Sequence, residues 1–268
     1  MVERNIVLND DKLIDAVNRS GFPLQIGLEH LVQTNLRGQW SVIYSEHAWK
    51  NPFDSSSGFI DLILEDSYRT SVLVVEAKKV VDASWIFLVS HDAQMTRVHV
   101  KSWVSKLSKN YFDYLDISAS PGSAESKFCV VDGQDPKSRP MLERLASEAV
   151  SSTEGFAAEE KALLKDGQLR MYFSVIVTTA TLKVCKTNPN SIAIDTGKLN
   201  EAELIEVPYV RFRKQLNYNI SPNSSYEDLR PEEIARQKEN TVFVVNSNHL
   251  IEFLSEFEVN SSSLRFLN

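Results

Sequence analysis

Residues 58–79 read GFIDLILEDSYRTSVLVVEAKK. Two apolar runs flank the polar turn EDSYR, and each has the length and β-branched content of a strand. The stretch therefore predicts a hairpin over residues 59–64 and 71–77. Each run carries an acid where a core would take another valine: Asp61 inside the first, Glu76 at the end of the second. Burying an unpaired carboxylate costs free energy or shifts its pKa, so two acids converging on one sheet call for a cation. Side chains alternate along a strand, which puts Glu76 and Lys78 on the face of Val72 and Val74 and turns Ala77 to the other. If the register sets Asp61 across from Glu76, two carboxylates, a nearby backbone carbonyl and water suit Mg²⁺. A lysine two residues on adds a fixed positive charge beside a metal-bound water or a phosphate. That is equipment for metal-assisted phosphodiester hydrolysis.

The rest of the chain sets the frame. Its 268 residues are 43% hydrophobic, enough for one large domain or two small ones. The opening MVERNIVLNDDK is charged and lacks the apolar core of a secretory signal. The most apolar windows, WIFLV, FSVIV and TVFVV, are strand-length and too short to span a bilayer. Cys129 and Cys185 stand far apart and indicate neither a disulfide framework nor a zinc ribbon, so a reducing, cytoplasmic setting is expected. A net charge of −7 argues against a surface coated in basic residues and leaves room only for a local basic cleft.

Capping residues and 3.6-residue periodicity predict helices over residues 9–21, with Leu13, Ile14 and Val17 on the buried face, and from Pro23 to Arg37. Strands are expected over 40–49, 127–131, 171–178, 181–186 and 241–245, with weaker ones over 192–194 and 207–213. Residues 84–90 are apolar but of uncertain type. Residues 92–109 read as a helix burying Val100, Trp103, Val104 and Leu107. Further helices are expected over 140–165, with a possible break at Gly155, over 232–238 and over 248–257, and a loop over 216–226. Helices flanking strands throughout predict an α/β or α+β chain with a mixed sheet, and no linker divides it.

Asp61 on one strand, followed by Glu76-Ala77-Lys78 at the end of the next, resembles the PD-(D/E)XK nuclease superfamily. The resemblance covers residues 23–109 by motif. Ile60 stands where the proline of the family's name would be. It implies a restriction-endonuclease-like core: a central mixed β-sheet flanked by helices on both faces, with C-terminal elaborations over residues 110–268. It also implies a metal-dependent nuclease cutting DNA, or less often RNA, with Mg²⁺ (Mn²⁺ as substitute) on Asp61, Glu76 and the Ala77 carbonyl, and Lys78 acting on the attacking water. The superfamily often adds a glutamate on the preceding helix, which here is Glu29. E-x-K recurs at Glu125–Lys127 and Glu159–Lys161, but those copies read as a polar loop and a helix. Cutting two strands needs two sites, so a homodimer or a partner subunit is expected.

Polar and basic candidates for nucleic-acid contact are Gln94, Arg97 and Lys101 on one flank of the 92–109 helix, and Arg211 and Arg213 in PYVRFRK. Ordinary solvated faces explain both groups equally simply. His47 and His91 have no metal-ligand spacing and read as structural. Two alternatives stand beside the nuclease. One is a catalytically silent nucleic-acid-binding or assembly subunit on the same fold. The other is an aspartic protease through Asp195-Thr196-Gly197, although Lys198 follows the glycine, there is no second such triplet, and a simple turn accounts for it.

Overall fold

The computed structural model describes residues 10–135, 137–138, 140–216, 227, 229–260, 262 and 264. In chain order the helices are α1 (Asp10–Arg19), α2 (Phe22–Asn35), α3 (Met141–Lys161), α4 (Pro231–Lys238) and α5 (Leu250–Glu256). The first strands are β1 (Trp40–Lys50), β2 (Ser57–Asp66), β3 (Ser71–Lys78), β4 (Ser84–Ser90), β5 (Arg97–Lys106), β6 (Tyr111–Ser126) and β7 (Phe128–Val131). After α3 come β8 (Leu169–Thr178), β9 (Thr181–Thr187), β10 (Ile192–Ala193), β11 (Lys198–Leu199), β12 (Ala202–Glu206) and β13 (Tyr209–Gln215). Beyond α4 lie β14 (Glu239–Asn246) and β15 (Glu258–Val259). The chain is α/β with mixed sheets. No helix among the described residues is long and apolar enough to cross a membrane.

The main sheet runs β1-β2-β3-β8-β14-β13-β6-β15. The strands β1, β2 and β3 are antiparallel neighbours, while β3, β8 and β14 run parallel. β5 pairs with both β6 and β8, so β8, β14, β13, β6 and β5 close into a five-stranded barrel. Closure leaves those strands with few unpaired edges. A second sheet, β12-β9-β4-β7, stands beside it.

The hairpin forms where the sequence predicts it. Leu62, Leu64, Leu73 and Val75 turn to one face and meet Leu28 and Val32 of α2, with Phe253 and Leu254 of α5 in the same core. Ile63, Val72 and Val74 turn to the other face and meet Phe156 and Ala157 of α3. Each fully buried aliphatic or aromatic side chain here contributes about 1.5–3 kcal/mol. With both faces covered, β2 and β3 read as unbroken apolar runs rather than alternating ones. The turn is fixed by Asp66, whose carboxylate accepts bonds from the Thr70 amide (2.7 Å) and hydroxyl (2.9 Å).

Three expectations are corrected. Residues 92–109 form no α-helix: their core is β5, paired with β6 and β8, and only a single 3-10 turn follows at Leu107–Lys109. β5 is buried on both faces, and a doubly buried strand mimics the i, i+3, i+4 spacing of a helix. The sixteen-residue β6 is missing from the sequence reading because Ser, Pro121 and Gly122 break its apolar pattern. Gly122 is needed there, since a Cβ would lie 2.8 Å from the Thr96 carbonyl oxygen. Finally, α1 buries none of its residues, and Leu13, Ile14 and Val17 face solvent. α3 is continuous through Gly155. The loop expected over 216–226 lies outside the described residues apart from Leu216.

Candidate functional site

The β2–β3 ladder runs from Glu65↔Val72 to Leu62↔Val75, which sets Asp61 and Glu76 at the next level, on neighbouring strands. The ladder ends there, and the Asp61 side chain takes over the connection. Its Oδ2 accepts a 2.6 Å hydrogen bond from the Ala77 amide. The Asp61 carbonyl accepts a 3.0 Å bond from Nε2 of Gln25, a buried glutamine on α2. Main chain and side chain of Asp61 are thus both fixed. By register, Glu46 on β1 lies between His47↔Ile60 and Ser45↔Leu62, beside Asp61. Its backbone adopts the left-handed conformation at φ 51°.

Burial pushes the Glu76 carboxyl up to about 7, helped by the nearby charges of Asp61 and Glu148 and opposed by Lys78 and Arg144. Asp61 is also raised, again by burial first, with Glu46 adding and the Ala77 amide and Lys78 opposing. Lys78 forms no ion pair within 4 Å among the described residues and acts on both acids through space.

Glu76 opens onto a cleft of about 410 Å³ between the hairpin and α3, whose walls include Trp49, Asp54, Ser57, Glu148 and Ser151. Asn51 ties the loop after β1 to α3 by donating to the Ser151 carbonyl (3.2 Å), the Ser151 hydroxyl (3.0 Å) and Glu154 (2.8 Å). Asp54 sits in the same loop. Burial raises its pKa, but bonds from Ser56 and Ser151 outweigh that and hold it below the usual carboxylate range. At the mouth, Arg144 reaches one turn along α3 to both oxygens of Glu148, at 3.2 and 3.3 Å.

Glu29 is not brought to the acids; its carboxylate accepts from Gln33 on its own helix (3.1 Å). Gln25, one turn earlier, holds that place. A signal for it existed: Gln25 falls on the buried stripe of Leu28 and Val32, where a polar residue needs a partner. Arg144 and Glu148 carried no signal, because only the crossover from β3 through α3 to β8 brings them to Glu76.

The polar and basic candidates disperse. Gln94 is exposed in the turn before β5. Arg97 pairs with Glu125 at 2.7 Å, and Glu125 lies on β6 rather than in a loop. Lys101 is buried, with Nζ donating to the Arg236 and Gln237 carbonyls, both at 2.7 Å, at the end of α4. Burial lowers that lysine to about 8. Arg211 is 0% exposed, donating to Ser123 (2.8 Å) and the Ala119 carbonyl (2.6 Å) with its guanidinium over the Phe243 ring. Arg213 pairs with Asp116 and Glu239. No common helical flank joins Gln94, Arg97 and Lys101, and Arg211 is closed off from any phosphate.

Asp195 and Gly197 belong to the turn between β10 and β11, where the Gly197 amide donates to the Ala193 carbonyl at 2.7 Å. Asp195 is exposed there, as a simple turn requires. His47 bonds Glu159 at 3.1 Å, away from the acids.

The donor set suits a hard cation. Among the described residues no protein donor bonds Glu76 or the second oxygen of Asp61. No three His, Cys, Asp or Glu side chains among those residues stand together as a ready cage. Mg²⁺, which keeps several waters and takes one or two carboxylates, matches such an all-oxygen pair. Comparison with family models, with curated proteins and with solved structures finds no match to this chain.

Proposed function

We propose that the chain is a metal-dependent nuclease of the restriction-endonuclease-like kind, hydrolysing phosphodiester bonds in DNA. One observation carries the reading: Asp61 and Glu76 stand at one level on adjacent strands, just past the last pair of their ladder, both half-buried and raised in pKa, with Glu76 lining a cleft. Helices on both faces of the mixed sheet that bears them support it. Asp61 and Glu76, with the Ala77 carbonyl, would hold Mg²⁺ or Mn²⁺. The ion would supply charge neutralisation and a more acidic water. Gln25 and the Ala77 amide position Asp61. Lys78 orients the attacking water or steadies a phosphate oxygen, and α3 closes one wall of the cleft.

The test is incubation of the chain with plasmid, linear and single-stranded DNA and with RNA, in Mg²⁺, Mn²⁺ or EDTA. Cleavage that needs the metal and is lost in Asp61→Ala and Glu76→Ala is expected, whereas Glu159→Ala, which shares the E-x-K spelling, stays active. Full activity of Glu76→Ala sinks the assignment. Binding without cleavage in every condition points instead to the silent nucleic-acid-binding subunit.

A further inference from the structure

The outer face of the second sheet carries an apolar row that no part of the proposed reaction uses. Register makes the row visible: Leu204 pairs with Cys185, Cys185 with Leu88, and Leu88 with Phe128, crossing all four strands at one level. Two residues along, Ile86 pairs with Val130 and extends the row into a patch. Their neighbours Trp85, Phe87, Leu182 and Val184 point the other way, into the core beneath α3. The row is open at both edges, with Phe128 63%, Val130 53% and Leu204 57% exposed, while between them Ile86 and Leu88 are half-buried and Cys185 is buried. These apolar side chains adjoin one another across four strands and form one patch rather than scattered exposure.

We infer that this face docks a second copy of the same chain, sheet on sheet about a two-fold axis. The charges on the face select that occupant. Its outward side chains include one cation, Lys183, and one anion, Glu206, opposite each other in register. The patch is therefore neutral on a chain of net charge −7, so it is where two copies meet with least repulsion. A two-fold axis passing between these two neighbours would set Lys183 of one copy against Glu206 of the other, the self-complementarity an isologous interface requires. A nucleic acid would need an excess of cations that the face lacks. The sheet edges do not compete: β7 is four residues long, and the edge strand β12 carries Glu203 and Glu206. Apolar sheet faces pack on one another directly. The inference does not rest on the nuclease reading.

Sedimentation of the full chain across a concentration series tests it. The parent is expected to reach a dimer below about 0.1 mM. Phe128→Ser and Leu204→Lys, both at exposed positions, should weaken the dimer about 100-fold or more, because symmetry counts each replacement twice. Melting curves of both variants should match the parent's monomer, which separates lost docking from lost folding. A parent that stays monomeric at about 0.1 mM overturns the inference and leaves the face to a different macromolecule. A dimer indifferent to both replacements overturns it as well. Nuclease assays play no part in either outcome.

Discussion

Glu76 shows how one residue carries both the cost and the use of the site. Its folded pKa of about 7 lies above the ordinary glutamate value, so the native state favours the protonated form. Linkage fixes the sign: Glu76 leaves stability intact below the unfolded pKa and subtracts from it as pH rises through the window up to about 7. Glu76→Gln removes that loss. In EDTA the variant and the parent should be equally stable at pH 4, and the variant more stable by about 2 kcal/mol at pH 8. That figure takes about 1.36 kcal/mol per tenfold change in proton affinity and discounts for partial solvent access. Parallel denaturation curves at all pH values would show that the carboxyl is not held in a dry, like-charged place. Lys78 separates from the acids by a different readout. Lys78→Ala should abolish cleavage yet leave Mn²⁺ affinity by calorimetry within about threefold, since an ammonium does not ligate a cation. Loss of metal binding in a folded Lys78→Ala would make the lysine a structural partner of the carboxylates instead.

At the scale of elements, the hairpin was legible because its signals are local: two apolar runs, a polar turn and acids at fixed positions. β5 and β6 were not. β5 is buried on both faces, and the alternation that would mark a strand is lost, while β6 needs Gly122 beside Thr96, a partner supplied by the fold. The acids of the site could be read from the same local pattern, and Gln25 left a trace as a polar residue on the apolar stripe of α2, but Arg144 and Glu148 could not be assigned to it, since tertiary packing alone brings α3 to the hairpin. Gly155 is a further case. The sequence suggests a break, yet α3 passes straight through, and the close approach of Trp49 and Lys50 of β1 is what calls for glycine at that point. A Cβ there would lie 2.9 Å from the indole Cε3 and 3.2 Å from the Lys50 carbonyl oxygen. Gly155→Ala gains about 1 kcal/mol of helix propensity and costs about 1–3 kcal/mol of overpacking. The expected result is a melting temperature lower by roughly 2–5 °C, with weakened cleavage because α3 forms a wall of the cleft. A melting point at or above the parent's would mean that β1 yields without cost.

Across the whole molecule, β8 is the strand every layer shares. It pairs with β3 on one side and with β14 and β5 on the other, so it belongs both to the hairpin sheet and to the barrel. Its side chains supply both main cores: Phe173, Val175 and Val177 join the α2–α5 side, and Ile176 joins the α3 side. A strand so placed cannot leave its neighbours without opening both cores, so the two should unfold together. α1 stands at the opposite extreme, with no buried residue. Native-state hydrogen exchange should then place the β8 amides in the slowest class, at the free energy of global unfolding, and the α1 amides in the fastest. Phe173→Ala should lower global stability by about 3–5 kcal/mol and speed exchange in β3 and β14 together with β8. If instead the β14 amides keep their parental protection in that variant, the barrel and the hairpin sheet unfold independently. Asp61 and Glu76 would then rest on a sheet that opens without the barrel.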